Sequence, residues 1–125
     1  MKLNIREIAK KETVVAEIMN GREKGETEDL IKRNKPITIN DFEACEITND
    51  EGEKEIVYAY TVEEEPKMFY FAGYVLKKIF EKIIAACDGD YETAYSAVRA
   101  ETLKVKLGEK KTKSKNTVTT VEVVD

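Results

Sequence analysis

The middle of the chain carries the two-residue apolar period of β-strands. In residues 37–47 the alternation slips by one position near Asn40-Asp41, which indicates a β-bulge. After a polar turn, residues 55–62 alternate again, and the enrichment in valine, isoleucine and tyrosine is typical of a strand. One face would hold Ile56, Tyr58, Tyr60 and Val62, and the other Val57, Ala59 and Thr61.

The next segment changes from a strand period to a helical one. Residues 68–71 predict a short third strand, and from Tyr74 the apolar residues recur every three or four positions. Asp88-Gly89-Asp90 ends this first helix, and Asp90 is placed to cap a second helix over residues 91–100. The apolar positions of the first helix are Val75, Leu76, Ile79, Phe80, Ile83, Ile84 and Cys87.

Two strands are predicted after the helices, and an arm before the first strand. Residues 103–107 alternate, residues 108–116 read as a long polar loop, and residues 118–124 form the last strand. At the other end, residues 4–20 loosely suit a helix, and Thr27 is placed to cap a second, short one. These helices would form an N-terminal arm over residues 1–35.

The order of elements predicts a mostly β protein built as a five-stranded OB-type barrel. Three strands, an inserted helical segment at about 74–100 and two further strands match the connectivity of that barrel, whose sheet and loops commonly take oligonucleotides or oligosaccharides. Residues 36–125 would form the barrel, in a single domain spanning residues 1–125. The same pattern also permits an α+β sheet with one covered face, or a split βαβ arrangement.

Composition narrows the class of protein. The chain has 125 residues, of which 42% are hydrophobic and 37% charged, and its two cysteines are far apart in sequence. Two such cysteines form neither a disulfide framework nor a zinc site, which favours a reducing compartment. The chain shows neither a membrane span nor a signal peptide. We therefore expect a cytoplasmic protein.

The sequence argues against catalysis. It contains no histidine, which is the commonest general base and metal ligand. No motif supports carboxylate or lysine chemistry in its place, so we expect no enzyme activity, no metal site and no cofactor.

The net charge of −4 hides two strongly charged segments. Residues 41–65 contain ten acids and one base, whereas residues 104–115 contain six lysines and one acid. Lysines in a loop bind phosphates as flexible point charges, although a charged hairpin tip often serves only solubility. The candidate phosphate-binding residues are Lys104, Lys106, Lys110, Lys111, Lys113 and Lys115.

Aromatic residues on the second and third strands are the candidate base-stacking surface. Stacking of a base on an aromatic ring contributes about 1–3 kcal/mol. The alternation places Phe69 and Phe71 on one face and Tyr70 on the other. We expect the phenylalanines to be in the core and the tyrosines to be more exposed, because a buried hydroxyl needs a partner. The stacking candidates are therefore Tyr58, Tyr60 and Tyr70, each of which could instead belong to the core.

Four segments resemble small phage and prophage proteins of Gram-positive bacteria that are regarded as single-stranded-DNA-binding-like: residues 20–24, 37–42, 69–73 and 110–118. The resemblance runs over most of the chain and implies a role in phage DNA replication or recombination, in the host cell cytoplasm if the protein is phage-encoded. Housekeeping bacterial single-strand binders end in an acidic tail that recruits partners. Here the last residues predict a strand, so we do not expect recruitment of that kind.

The leading hypothesis is a non-catalytic single-strand binder, in which tyrosines stack bases and the lysine loop contacts the backbone. DNA is favoured over RNA, and association with a second copy or another protein is a further candidate; no membrane partner is expected. The alternative is a protein-binding module, such as a phage-encoded inhibitor, that acts through the acidic face around Glu63-Glu64-Glu65.

Overall fold

The computed structural model describes residues 18–111, 113 and 116–124. In this part of the chain the structure has six strands and three helices. In chain order they are β1 (Glu23–Lys24), α1 (Thr27–Lys32), β2 (Ile37–Thr48), β3 (Lys54–Val62), β4 (Met68–Phe71), α2 (Tyr74–Ala86), α3 (Tyr91–Glu101), β5 (Leu103–Lys111) and β6 (Thr117–Val123).

The strands form one curled, open sheet in the order β1-β4-β3-β2-β5-β6, so the molecule is a mostly β half-barrel. All neighbours are antiparallel except β1 and β4, which are parallel. The mostly β class is confirmed, but the sheet formed by the described residues has six strands instead of the predicted five. The additional strand, β1, comes from the arm and adds two residues to the edge of β4.

The predicted bulge is confirmed and helps to bend the sheet. The register of β2 against β3 shifts between Ile39 and Asp41. The polar groups at the shift have partners: Asn40 Oδ1 accepts from Thr61 Oγ1 at 2.6 Å, and Asp41 Oδ1 accepts from Arg99 Nε at 3.0 Å. Residues before the bulge pair with β5 and those after it only with β3, so one long strand joins the two halves of the sheet.

The helices cover one face of the sheet, which we call the inner face. Its centre is aromatic: Phe42 of β2 stacks on Phe80 of α2 with ring centroids 4.4 Å apart and planes at 7°. Tyr95 of α3 meets Phe42 edge-on at 4.9 Å. These contacts fix the helical insert on the sheet. Both helices of the insert form where predicted, and the Asp90 side chain accepts from Thr93 N, as expected of a cap.

The segment before α1 covers part of the opposite, outer face. Ile18 is buried there with Cys45, Ala59 and Phe69. This segment then pairs with the edge of β4 as β1, and at Gly25 it lies against the ring of Tyr70, so closely that an added Cβ would fall inside contact distance of that ring. Because helices cover one face of the sheet and the segment before α1 covers part of the other, residues 58–62 of β3 are buried on both faces.

The structure agrees only in part with the predictions for the two ends of the chain. The predicted loop over residues 108–116 is too long, because β5 continues to Lys111 and pairs with β6 as far as Thr117. The short helix is confirmed, but Thr27 is its first residue and not its cap, because Glu26 takes the N-cap position without a side-chain hydrogen bond. Most of the helix predicted over residues 4–20 lies outside the described residues, and residues 18–20 form a turn. No helix among the described residues has the length and apolar character needed to cross a membrane.

Candidate functional site

The three candidate tyrosines lie in the core. Tyr58, Tyr60 and Tyr70 are 4%, 1% and 2% exposed. The predicted parity is correct, since Phe69 and Tyr70 belong to clusters on opposite faces. The predicted exposure is wrong, because the helices cover the face that carries the tyrosines. Their rings are therefore not available for stacking against a base.

Burial also keeps these phenols neutral. Burial raises the pKa of Tyr58, of Tyr60 and of Tyr70 above the ordinary value. It raises the pKa of Tyr95 to about 12, although Ala44 N donates a hydrogen bond to the Tyr95 hydroxyl oxygen at 2.8 Å and opposes the shift. These phenols are part of the folded core, where the Tyr95 hydroxyl is bonded to Ala44 N and the Tyr60 hydroxyl to the Thr27 side chain.

The candidate lysines are divided between the two faces of the β5–β6 hairpin. Strand alternation places Lys104, Lys106 and Lys110 on the face opposite Val105 and Leu107, which are buried in the inner core. Lys111 lies on the same side as Val105. All the described candidates are exposed except Lys106, which is half-buried and pairs across the strands with Glu122. Lys113 is in the hairpin turn, and Lys115 lies outside the described residues.

Tyr74, which the sequence reasoning did not select, is the most exposed of the large hydrophobic residues among the described ones. It is the first residue of α2 and is 73% exposed. Lys78, one helical turn later, places its Nζ 4.7 Å from the centre of the Tyr74 ring, which is cation–π geometry. The signal was available in the sequence: Tyr74 lies beside Lys77 and Lys78 on the polar side of the helical pattern, outside the buried stripe of Leu76, Phe80 and Ile84.

Tyr74 forms one wall of a groove of about 620 Å³ between the start of α2 and β6. The α2 wall begins at Gly73, which provides no side-chain cap, and the first turn contains no acid. The amide groups at this helix end are therefore electropositive. The opposite wall is formed by β-branched residues of β6. The lining residues are Gly73, Tyr74, Val75, Val118, Thr119, Thr120 and Val121.

The lysines at the end of the hairpin lie next to the β6 wall of this groove without lining it. Lys110 pairs across the strands with Val118, which lines the groove, and Lys111 pairs with Thr117. We call Lys110, Lys111 and Lys113 the basic hairpin. In the described part of β5, β6 and their turn, five lysines stand against the two acids Glu109 and Glu122. The β6 wall of the groove that holds Tyr74 therefore belongs to a hairpin with an excess of cations.

The acidic run has a structural role. Glu64 accepts two hydrogen bonds from Thr38, from the backbone N at 2.7 Å and from Oγ1 at 2.9 Å. Glu65 forms an ion pair with Arg33 at 3.0 Å. Two of the three consecutive carboxylates thus attach the turn after β3 to the start of β2 and to the end of α1, and Glu63 is exposed.

Glu64→Gln should lower the free energy of unfolding by about 1–2 kcal/mol, because charge-assisted hydrogen bonds to Thr38 are lost or weakened. Urea titration followed by circular dichroism measures the change. Glu63→Gln removes the same charge from the exposed neighbour and should stay within about 0.5 kcal/mol of the original protein. Equal losses in the two variants would contradict a specific role for Glu64.

Among the described residues, no group of three or more potential ligands is arranged to hold a metal ion. Cys45 lies in the outer-face cluster, and burial raises the pKa of its thiol. No known protein family, no curated protein and no solved structure matches this chain.

Proposed function

We propose that this protein is a non-catalytic binder of single-stranded nucleic acid, with DNA as the favoured ligand, and that the groove between α2 and β6 is its binding site. The observation that carries the proposal is the exposed Tyr74 ring, paired with Lys78, in a groove whose other wall, β6, pairs with the strand that carries Lys110 and Lys111. Non-specific single-strand binders combine two elements of this kind, an aromatic platform for bases and a cationic path for the backbone.

The proposed division of roles follows from the position of each residue. Tyr74 stacks one base, and Lys78 is close enough to contact the adjoining phosphate. Lys110, Lys111 and Lys113 pair with phosphates further along the strand. These contacts involve the flat faces of the bases and the charge of the phosphates, and not the base edges that differ between sequences. Binding should therefore depend on salt and vary little with base sequence.

The pairing order of the sheet supports a finer proposal for the fold. Without β1, the order β4-β3-β2-β5-β6 is the one an OB-type barrel has when it is opened between its third and fifth strands. The start of α2 lies beside β6 at that opening. On this proposal the groove is the open seam of an OB-type barrel, and β1 is an addition from the arm. Use of the protein in phage replication or recombination is part of the same proposal and rests on the sequence resemblance.

The acidic alternative has less support. Glu64 and Glu65 already make contacts that hold their turn, so a partner would compete for carboxylates that the fold uses. No contact in the described structure favours a second function.

The direct test is fluorescence anisotropy of a labelled oligo(dT), titrated with the protein at low and at moderate salt, with duplex DNA as the comparison. The proposal requires saturable binding that weakens with salt and is much poorer for the duplex. No binding at low salt, or equal affinity for the duplex, would contradict it.

Tyr74→Ala should weaken oligo(dT) binding by about 1–3 kcal/mol, or roughly 5- to 150-fold in dissociation constant, because one stacked base is lost. Tyr91→Ala is the matched control, since Tyr91 is also an exposed first residue of a helix, at 41% exposure, but does not line the groove. The same anisotropy titration measures both variants. A similar loss in both, or in neither, would remove Tyr74 from the site.

A further inference from the structure

The free edge of β6, on the side away from β5, presents a row of backbone N–H and C=O groups. β6 ends the strand order, and within the described residues no strand pairs with its outer side. Val124 N donates to Lys104 O at 2.8 Å, so the residues at even positions, from Val118 to Val124, direct their backbone groups at β5. The outward-directed groups therefore belong to the alternate residues Thr117, Thr119, Val121 and Val123.

This edge lacks the features that protect sheet edges from pairing. Charged residues, proline and very short strands are the usual protections. At the other edge of the sheet, β1 has two residues and both are charged. β6 has seven residues, with no proline and one charge, Glu122. Val118 and Val123 on this strand are 43% and 57% exposed.

We propose that β6 pairs antiparallel with β6 of a second copy, about a two-fold axis at Val121. In this register each outward-directed residue meets another: Val121 meets Val121, and Thr119 meets Val123. On the other face Val118 meets Val124, so that exposed valines are covered on both faces. Glu122 meets Thr120 and already has Lys106 as its neighbour on β5, so no like charges are opposed.

The groove next to β6 provides room for the added strand. It runs between the start of α2 and residues 118–121, and the second copy's strand would lie against Tyr74 and Val75. Pairing two short edges buries less than the ~1,200 Å² of a standard interface, so the dimer should form only as concentration rises. If the proposed function is correct, the dimer occupies the groove that binds nucleic acid, and the two states exclude each other.

Sedimentation velocity of the full chain, from micromolar towards millimolar concentration without nucleic acid, tests the pairing. We expect the mass to rise from the 14.3 kDa of one chain towards twice that value. Thr119→Pro removes an outward-directed N–H while leaving the bonds between β5 and β6 in place, so it should stay monomeric with an unchanged circular dichroism spectrum. Val123→Lys charges the edge and should also stay monomeric.

Ile56→Lys is the control, because Ile56 is an exposed aliphatic residue on another strand and the variant should dimerise like the original protein. A monomer over the whole concentration range, or a folded Thr119→Pro variant that dimerises normally, would overturn the proposal.

Adding a short oligo(dT) to the dimer separates this inference from the proposed function. Conversion to complexes with one chain each is the result expected if both are correct. A dimer that shows no oligonucleotide binding leaves the pairing in place and contradicts the proposed function. An oligonucleotide that binds without dissociating the dimer contradicts the shared groove.

Discussion

Replacing Lys110, Lys111 and Lys113 together with glutamine should weaken oligo(dT) binding by about 1–3 kcal/mol in total, because each exposed ion pair contributes up to about 1 kcal/mol. The stronger signature is the salt dependence. For a single strand the slope of log K against log salt is about −0.7 per phosphate contact, so losing three contacts should make the slope less steep by about 2. Anisotropy titrations at several salt concentrations give both values.

The matched control for this variant changes the same amount of charge elsewhere. Lys35, Lys67 and Lys82 are exposed and lie outside the β5–β6 hairpin, so their triple glutamine variant has the same net charge. It should bind oligo(dT) with nearly the original salt slope. If the two triple variants lose the same slope, the effect comes from net charge, and the basic hairpin is not the phosphate site.

Phe80→Ala should lower the free energy of unfolding by about 3–5 kcal/mol, the usual cost of removing a fully buried phenylalanine. Phe80 is 0% exposed and its ring lies within 6.1 Å, centre to centre, of the rings of Phe42, Tyr58 and Tyr60. Its removal leaves a cavity between α2 and the sheet. Since domains of this kind are stable by about 5–15 kcal/mol, the variant would approach the threshold of unfolding.

Urea denaturation measured by circular dichroism determines this loss. Ile56→Ala is the comparison, because Ile56 is 43% exposed and its truncation should cost less than about 1 kcal/mol. A loss of similar size in the two variants would show that the contact between α2 and the sheet contributes little. The result also matters for the site, since α2 positions Tyr74.

Most of the elements could be predicted from sequence, because their signals are local. The four-residue spacing of Leu76, Phe80 and Ile84 predicts α2, and Asp90 caps the next helix. The parity slip at Asn40-Asp41 predicted the bulge. β1 was missed because its two charged residues have no strand period, and their pairing with β4 depends on a distant segment.

The candidate site was predicted only in part. The lysine segment was identified because its charge is contiguous, although the length of the hairpin stem was underestimated. Tyr58, Tyr60 and Tyr70 were expected to be exposed but are buried. Tyr74 was overlooked because the apolar positions of its helix indicate packing in the core. In each case the pattern gives the face of the element correctly but contains no information on what covers that face.

The sequence by itself determined most of the strands and helices, with β1 as the exception, and which residues within an element share a face, because periodicity and capping act between residues close in the chain. Only the tertiary structure decided which faces are buried. Tyr58 and Tyr60 are covered because α2 packs on the sheet, and Phe69 is covered because Ile18 crosses the other face. Burial depends on contacts between segments far apart in sequence, and so does the groove, which exists only where the start of α2 meets the edge of β6.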